Sequence, residues 1–240
     1  MSDVWERHAE WWQRGFTEGA DTEYVEQMLP LAGAWLAGFD RVLDLGCGEG
    51  QIARQTAAAG ADIVVGIDRS HNQIREATAR AGATGFVVGD AAVLPFRAAA
   101  FDAVVACLVL EHLDRLDEAV AEIARVIRRG GRFVLFLNHP FVQTPGSGWI
   151  DDQVLDPPEQ YWRVGAYLTE DYRLEEVERG IEIGFHHRPL SRYVNGLADA
   201  GLAIEHMIEP APPPGFVAQA PEYEAITELP RLLVLITRRG

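Results

Sequence analysis

Lysine is absent from this chain, and positive charge as a whole is scarce. All 21 basic residues are arginines, against 36 acidic residues, and the formal net charge is −15. A groove that binds nucleic acid needs clustered positive charge, which a chain this acidic is poorly suited to provide. We therefore expect no nucleic-acid partner.

Cysteines are also few, and long apolar runs are missing. The two cysteines, Cys47 and Cys107, lie in apolar segments and have neither the spacing of a zinc site nor the density of a disulfide framework. No apolar run approaches the roughly 20 residues that a membrane helix needs. The charged and aromatic N-terminus does not resemble a signal peptide. We expect a cytoplasmic protein with no metal site and no membrane partner.

Strand-like and helical patterns alternate between residues 41 and 138. The strand-like runs are 41–45, 61–68, 85–90, 101–110 and 132–138, and the helical ones are 50–60, 70–82 and 116–131. Continuous apolar strands separated by helices indicate a parallel sheet covered on both faces. Right-handed crossovers then give a doubly wound α/β fold, which binds ligands beyond the carboxyl ends of its strands.

Two helix ends carry specific expectations. Ser70, followed by Gln73, predicts a capping box at the start of the helix 70–82. Arg128 and Arg129 are expected in the last turn of the helix 116–131, where the helix dipole favours cations, and Gly130 would end that helix.

The stretch VLDLGCGEGQ, residues 42–51, places a glycine-rich loop after the first strand. Gly46 and Gly48 fit a dinucleotide fingerprint, but its last glycine is replaced by Gln51. A carboxylate at Glu49 is expected to repel a diphosphate. Together these departures indicate a nucleoside ligand without phosphate.

Acidic residues end the next two strands, where such a ligand would lie. Asp68 is placed to accept hydrogen bonds from ribose hydroxyls, and Asp90 from the exocyclic amine of a base. Adenosine without phosphate, surrounded by acids, indicates S-adenosylmethionine, because its sulfonium and ammonium groups are cations. An NAD-dependent dehydrogenase is disfavoured by Glu49 and Gln51.

The chain resembles the class I S-adenosylmethionine-dependent methyltransferases of small-molecule type. The resemblance rests on VLDLGCGEG, GIDRS, GDAAVLPF and FDAVVACLVLEHL, and more weakly on residues 185–240. It implies a Rossmann-like sheet of seven strands, mostly parallel with the last strand antiparallel, and helices on both faces. We expect one methyltransferase domain over 1–240. The residues outside the alternating pattern indicate a helical lid at 1–38 and an acceptor-side elaboration at 139–187.

The resemblance further implies contacts to S-adenosyl-L-methionine. Asp44 and the backbone of Gly46, Cys47 and Gly48 are expected to contact the methionine part, and the Cys107 carbonyl its ammonium group. Asp68 is expected to bind the ribose. The adenine is expected to contact Arg69, Asp90 and Ala91, and Trp12 to cover the cofactor. Asp44 has an alternative role as a satisfied buried acid, and the two cysteines as small core residues.

The acceptor is expected to be a small molecule bound near two histidines. His139 follows the fifth strand, and His187 precedes the late helix, so they are interpreted as a catalytic base and its orienting partner. If 181–187 is a strand, His186 and His187 point to opposite faces. The alternative for both catalytic candidates is a structural histidine, and His112 is interpreted as packing.

The preferred function is O-methylation of a small hydroxylated metabolite, with a sugar among the candidates. Aromatic and acidic residues between 149 and 167 suit such an acceptor. Carbon or nitrogen methylation, and a protein that binds the cofactor without turnover, are the alternatives. The oligomeric state stays open, with a homodimer among the options.

Overall fold

Strands and helices alternate along the chain, in a computed structural model that describes residues 4–16, 20–80, 82, 84–219 and 225–240. The strands are β1 (Arg41–Leu45), β2 (Ile63–Asp68), β3 (Gly85–Val88), β4 (Phe101–Cys107), β5 (Ile127–Asn138), β6 (Gly148–Asp152), β7 (Glu159–Arg163), β8 (Asp171–Glu178), β9 (Ile181–His187), β10 (Leu202–Ile208) and β11 (Leu232–Arg239). The α-helices are α1 (Val4–Arg7), α2 (Ala9–Phe16), α3 (Leu29–Leu36), α4 (Gln51–Ala58), α5 (His71–Ala79), α6 (Leu116–Val126), α7 (Leu190–Asp199) and α8 (Pro214–Val217).

Seven of these strands form one sheet in the order β10-β11-β5-β4-β1-β2-β3. β1 pairs in parallel with both β2 and β4, so the polypeptide must cross over through a helix between them. β11 is antiparallel to both of its neighbours, β5 and β10. The predicted doubly wound sheet, mostly parallel with an antiparallel last strand, is confirmed.

The central strands are buried on both faces, which explains their continuous apolar sequence. Adjacent β1 residues Val42 and Leu43 are both fully buried and lie in different apolar clusters on opposite sides of the sheet. One cluster includes Ile123 of α6 and the other Ile52 of α4. Helices on both faces therefore cover the sheet, and the carboxyl edge of β1, β2 and β4 stays available for a site.

The helix predicted over 116–131 is shorter than expected. It ends at Val126, and Ile127 already pairs with Phe101 as the first residue of β5. Arg128 and Arg129 are therefore strand residues, and Arg128 Nε donates to Asp102 Oδ1 at 2.5 Å. The expected helix-dipole role for these two arginines is wrong, because the chain already pairs with β4 from Ile127 onward and is no longer helical there.

The predicted capping box on α5 is half present. Ser70 Oγ accepts a hydrogen bond from the Gln73 backbone nitrogen at 3.1 Å, as an N-cap should. The Gln73 side chain does not return to Ser70; its Oε1 accepts from Gln13 Nε2 at 3.0 Å. The second half of the box is replaced by a contact with the N-terminal segment.

The segments outside the sheet are helical at the N-terminus and strand-rich at 139–187. Residues 1–3 and 17–19, within the predicted lid 1–38, lie outside the described residues. A five-residue π-helix, Tyr24–Met28, runs into α3. In the segment 139–187, β6 pairs with β7 and β8 with β9 as antiparallel hairpins. β9 contacts α1 and the 3₁₀ turn Leu110–His112, which places the second hairpin at the carboxyl edge of the sheet.

Candidate active site

The glycine-rich loop after β1 is held against the end of β2. The backbone nitrogens of Gly46 and Cys47 both donate to the Ile67 carbonyl, at 2.7 and 3.1 Å. Gly46 has a φ of +69°, and a Cβ there would lie 2.4 Å from Val109 Cγ2. Both the backbone angle and the lack of space require glycine, and the loop backbone can therefore approach a ligand closely.

A cavity lies in front of this loop, at the carboxyl ends of β1, β2 and β4. It is lined by all ten residues that the sequence assigned to the cofactor: Trp12, Asp44, Gly46, Cys47, Gly48, Asp68, Arg69, Asp90, Ala91 and Cys107. The fold thus brings together residues that are far apart in the sequence, from Trp12 to Cys107.

Asp44 connects β1 to the helix behind the loop. Its Oδ2 accepts a hydrogen bond from the Ala53 backbone nitrogen in α4 at 3.0 Å, and the residue is 2% exposed. Burial raises the pKa of this carboxyl to about 7, and the nearby carboxyls of Asp68 and Glu49 act in the same direction. A bound cation would favour the charged form, so Asp44 combines a structural bond with a capacity for a positively charged ligand.

Asp68 fixes the geometry of the two loops that border the cavity. Its Oδ2 accepts from the Gly48 nitrogen at 3.0 Å and its Oδ1 from the Ser70 nitrogen at 2.8 Å. Burial raises its pKa, against the effect of these two hydrogen bonds. Each carboxylate oxygen can accept more than one hydrogen bond, so both retain capacity for vicinal hydroxyls.

Asp90 lies at the open end of the cavity. Its Oδ1 accepts from the Ala92 nitrogen at 2.9 Å, and its Oδ2 lies 3.7 Å from Arg115 Nη1. The side chain is 58% exposed, so it is the most accessible of the cavity's acids that we describe here. An amine at the rim would find an acceptor there.

Glu49 does not face the ligand cavity, contrary to the expectation from the sequence. It is absent from the cavity lining, and its side chain is buried between Arg54 and Arg80. Its Oε2 lies 2.6 Å from Arg54 Nη2 and 3.4 Å from Arg80 Nη1. Because its charge is compensated by these arginines, the argument that Glu49 repels a diphosphate is wrong, and the exclusion of dinucleotides rests on the missing glycine at Gln51.

Aromatic side chains from the N-terminal helices border the cavity. Trp12 stacks on Phe16 with ring centroids 4.0 Å apart, and its ring lies edge-on to Trp5 at 5.6 Å. Trp5 and the buried Tyr24 also line the cavity. The sequence assigned a role at the cofactor only to Trp12. Trp5 lies seven residues earlier, a spacing that would place both side chains on one face of a continuous helix and could have indicated the same role for Trp5.

Glu6 attaches this aromatic group to the core. Its Oε2 accepts from Ser70 Oγ at 2.6 Å and from the Asn72 nitrogen at 3.1 Å. The hydrogen bond from Ser70 is the main reason that the pKa of Glu6 lies below its usual value. A negatively charged Glu6 therefore binds the start of α5, next to the residues that follow Asp68.

Both cysteines are thiols with a suppressed tendency to ionise. Burial raises the pKa of Cys47 and of Cys107 well above the usual value. Cys107 Sγ lies 3.7 Å from Met28 Sδ. These residues therefore offer backbone groups and apolar surface to the cavity rather than nucleophiles.

The structure does not bring His139 to the cavity. Its Nδ1 accepts from the Phe141 nitrogen at 3.1 Å, and its Nε2 therefore donates to Glu209 Oε1 at 2.8 Å. Both ring nitrogens are thus occupied, and burial lowers the pKa of the ring despite Glu209. The expected role of His139 as a base beside the acceptor does not agree with this geometry.

His187 also lies away from the cavity lining. Its Nε2 lies 2.8 Å from the Tyr167 carbonyl oxygen, and its Nδ1 is buried without a hydrogen-bond partner among the described residues. The expected contact in which His187 orients His139 is not formed, because each ring binds a different partner. As the predicted strand implies, His186 points to the other face, and it lines a neighbouring cavity.

Residues of the turn after β4 were missed. Val109 and His112 line the cavity, and His112 was interpreted as packing. Their position directly after a central strand could have indicated this role, because this fold places such residues at its ligand edge.

Among the described residues, no cluster of three or more His, Cys, Asp or Glu side chains could hold a metal ion. No described helix is long and apolar enough to cross a membrane.

Comparison with known proteins agrees with this geometry. Residues 43–135 match the family model "Methyltransferase domain". The 27-O-demethylrifamycin SV methyltransferase of Amycolatopsis mediterranei is 36% identical over 168 residues, covering 67% of this chain and 59% of the relative. The demethylmenaquinone methyltransferase of Renibacterium salmoninarum is 37% identical over 101 residues, covering 42% of each protein. The chain thus spans less than two thirds of both relatives.

A solved structure extends the similarity to most of the chain. The S-adenosylmethionine-dependent methyltransferase from Mesorhizobium loti is 28% identical, with a TM-score of 0.75 over 88% of this chain and 96% of that one. Residues 43–135 therefore form a methyltransferase domain of the class I S-adenosylmethionine-dependent type. The cofactor of this class is S-adenosyl-L-methionine, for which the lined cavity offers carboxylates and close backbone approach.

Proposed function

We propose that this protein transfers a methyl group from S-adenosyl-L-methionine to a hydroxyl group of a small molecule. The observation that carries the proposal is the cavity itself, in which Asp44, Asp68 and Asp90 follow one another along the edge of the sheet beside the glycine-rich loop. The named relatives methylate a rifamycin and a demethylmenaquinone, which supports a small-molecule acceptor.

Different cavity residues bind different parts of the cofactor. Asp44 and the backbone of the glycine loop hold the cationic methionine part, together with the Cys107 carbonyl. Asp68 accepts hydrogen bonds from the ribose hydroxyls. A third group faces the adenine and the open end of the cavity: Arg69, Asp90, Ala91 and Trp12.

Positioning accounts for most of the catalysis that the protein supplies. The bound cofactor provides an electrophilic methyl group on a sulfonium. Holding two reactants in line contributes about 7–11 kcal/mol to a reaction of this kind. A hydroxyl acceptor also has to lose its proton, and a histidine near the methyl group is suited to accept it.

The proposal is tested by measuring S-adenosylhomocysteine release with matched acceptors: catechol and methyl glucoside for hydroxyls, aniline for nitrogen, and indole for a nucleophilic carbon. We expect release above background with a hydroxyl acceptor, and loss of that release in Asp68→Asn but not in Asp62→Asn, an exposed control. Release with aniline or indole alone would replace the proposal by nitrogen or carbon methylation. Cofactor binding with no release across the panel would indicate a binding protein.

A further inference from the structure

A second cavity adjoins the cofactor cavity and shares one wall with it. The shared residues are Trp5, Arg69, Asp90, His112 and Leu113. The far wall is formed by the hairpin β8–β9, with Tyr172, Gly184 and His186. This cavity has aromatic rings together with hydrogen-bonding groups of both charge signs, which is a suitable lining for a polar ring-bearing molecule.

His112 stands on the shared wall in a fixed orientation. Its Nδ1 lies 2.8 Å from the Gly184 carbonyl oxygen, so Nδ1 carries the proton and donates it. The ring is held edge-on to Trp5, with centroids 4.8 Å apart, and against Phe185 at 4.7 Å. Nε2 is then left as an acceptor, and no hydrogen bond to it is found within the described residues.

The ring is neutral at ordinary pH. The pKa of His112 is lowered to about 4, mainly by burial; the hydrogen bond to Gly184 opposes this shift, and the nearby His186 acts in the same direction as burial. The other charged or titratable groups that face the second cavity are Arg69, Asp90, Asp114, Arg115 and Tyr172. A neutral ring with a free lone pair recognises a hydrogen-bond donor and disfavours a carboxylate, which has no proton to give.

We propose that the methyl acceptor binds in the second cavity through a hydroxyl group that donates to His112 Nε2, and that His112 removes the hydroxyl proton during transfer. The acceptor class is a small hydroxylated molecule whose ring packs against Trp5 and Tyr172. This inference rests on the proposed function, because the shared wall matters only if the first cavity holds the methyl donor.

The hydroxyl oxygen forms a bond to the methyl carbon, and the carbon–sulfur bond breaks with its electron pair remaining on sulfur. The hydroxyl proton moves to Nε2 and then to solvent, which leaves a methyl ether and neutral S-adenosylhomocysteine. Because the O–H group becomes strongly acidic as the oxygen–carbon bond forms, a weakly basic imidazole is sufficient to accept its proton.

Arg188 is a positioning residue for this histidine. It is 5% exposed, and its Nη1 and Nη2 donate to the carbonyls of Leu110 and Leu113 at 3.1 and 2.6 Å. Leu110 begins the 3₁₀ turn and Leu113 follows its last residue, so the two carbonyls flank His112 along the chain. Arg188, directly after β9, therefore fixes the turn that carries His112. Gly184, four residues earlier in β9, accepts the hydrogen bond that orients the His112 ring.

The test uses the whole protein, with His112→Gln and the control His206→Ala on the exposed side of β10. Binding of S-adenosylhomocysteine is measured by calorimetry, binding of catechol to the S-adenosylhomocysteine-saturated protein by NMR, and methyl transfer with the panel above. We expect His112→Gln to keep S-adenosylhomocysteine affinity, weaken catechol binding and lower kcat about 10²–10⁴-fold. The control should match the wild type in all three.

The outcomes separate the two proposals. Failure of the wild type to bind S-adenosylhomocysteine overturns the proposed function itself. Intact binding with wild-type catechol affinity and kcat in His112→Gln overturns only the role of His112. Absence of both catechol binding and transfer to any hydroxyl acceptor, with S-adenosylhomocysteine bound, overturns the acceptor assignment.

Discussion

His112 in the turn after β4 donates from Nδ1 to the carbonyl of Gly184 in β9, across 2.8 Å. This hydrogen bond joins the core of the methyltransferase domain to the segment 139–187, in which residues 141–184 match no motif. It also sets the tautomer of a ring that lines both cavities. The contact therefore connects the hairpin β8–β9 to the place where the acceptor is proposed to bind.

Gly46→Ala should abolish cofactor binding and destabilise the fold. The new Cβ would meet Val109 Cγ2 at 2.4 Å, and the φ of +69° disfavours any side chain. We expect a loss of about 1–2 kcal/mol from the backbone angle and a further ~1–3 kcal/mol from overpacking, measured by urea unfolding.

Gly38→Ala is the matched control for that variant, because Gly38 has a φ of +81° but open space around it. It should show the backbone loss alone and bind S-adenosylhomocysteine normally. Adding Val109→Ala to Gly46→Ala should recover part of the packing loss. Equal destabilisation by the two single alanine variants would contradict the close approach of the loop to Val109.

Glu6→Ala should loosen the aromatic side of the cofactor cavity. It removes the acceptor for Ser70 Oγ and the Asn72 nitrogen, so α1 with Trp5 is held less firmly. We expect S-adenosylhomocysteine to dissociate faster, by at most about tenfold, since a partly exposed hydrogen bond contributes about 0.5–1.5 kcal/mol. Stopped-flow fluorescence of the tryptophans measures this rate, with the exposed Glu10→Ala as control. Identical rates in all three proteins would show that Glu6 does not hold the cover.

Glu111→Gln should change the pH dependence of stability. Burial raises the pKa of Glu111 to about 7, above its value in the unfolded chain, so this group favours the folded state at low pH. That contribution is lost as the pH rises toward 7, and by pH 8 the cost approaches about 3 kcal/mol. The variant should therefore gain stability relative to the wild type as the pH rises from 5 to 8.

Asp44, whose pKa is also raised to about 7, contributes a slope of the same sign in both proteins, so the difference between them is the readout. Thermal unfolding at several pH values measures it, with the exposed Glu118→Gln as control. A constant difference between Glu111→Gln and the wild type across this range would show that Glu111 is already ionised in the folded protein.

His139→Ala should cost stability and spare catalysis. Both ring nitrogens are occupied, by Glu209 and by the Phe141 nitrogen, so the ring has no lone pair to offer an acceptor. We expect a lower Tm and an unchanged kcat, in contrast to His112→Gln. A fall in kcat of about 10²-fold or more with an intact fold would return the catalytic role to His139.

The parts of the fold that sequence could predict are those in which one local pattern decides the outcome. The apolar run at 41–45 became β1 with the same bounds, because burial on both faces leaves no alternative for such a run. The helix starting at Leu116 began as predicted, but strand pairing of Ile127 with Phe101 ended it early. Contacts between distant segments, such as Gln13 with Gln73, left no local trace.

In the candidate site too, some features could be predicted from the sequence and others could not. Residues at strand ends could be placed because topology alone brings them to one edge. The direction of each side chain could not: Glu49 was expected beside the ligand but is held by Arg54 and Arg80, and His139 is occupied by Glu209. Gly184 and most of the hairpin β8–β9 lie within residues 141–184, which match no motif from which a position could be predicted.

Calorimetric titration with S-adenosylhomocysteine and with NAD decides which ligand the cavity beside the glycine-rich loop binds. We expect micromolar affinity for S-adenosylhomocysteine, the range typical of enzyme ligands, and no heat with NAD. Asp68→Asn should weaken the binding about tenfold or more, since hydrogen bonds to a charged group contribute about 1.5–3 kcal/mol, while Asp62→Asn should bind as the wild type does. Binding of NAD without S-adenosylhomocysteine, or unchanged affinity in Asp68→Asn, would contradict the assignment of this cavity.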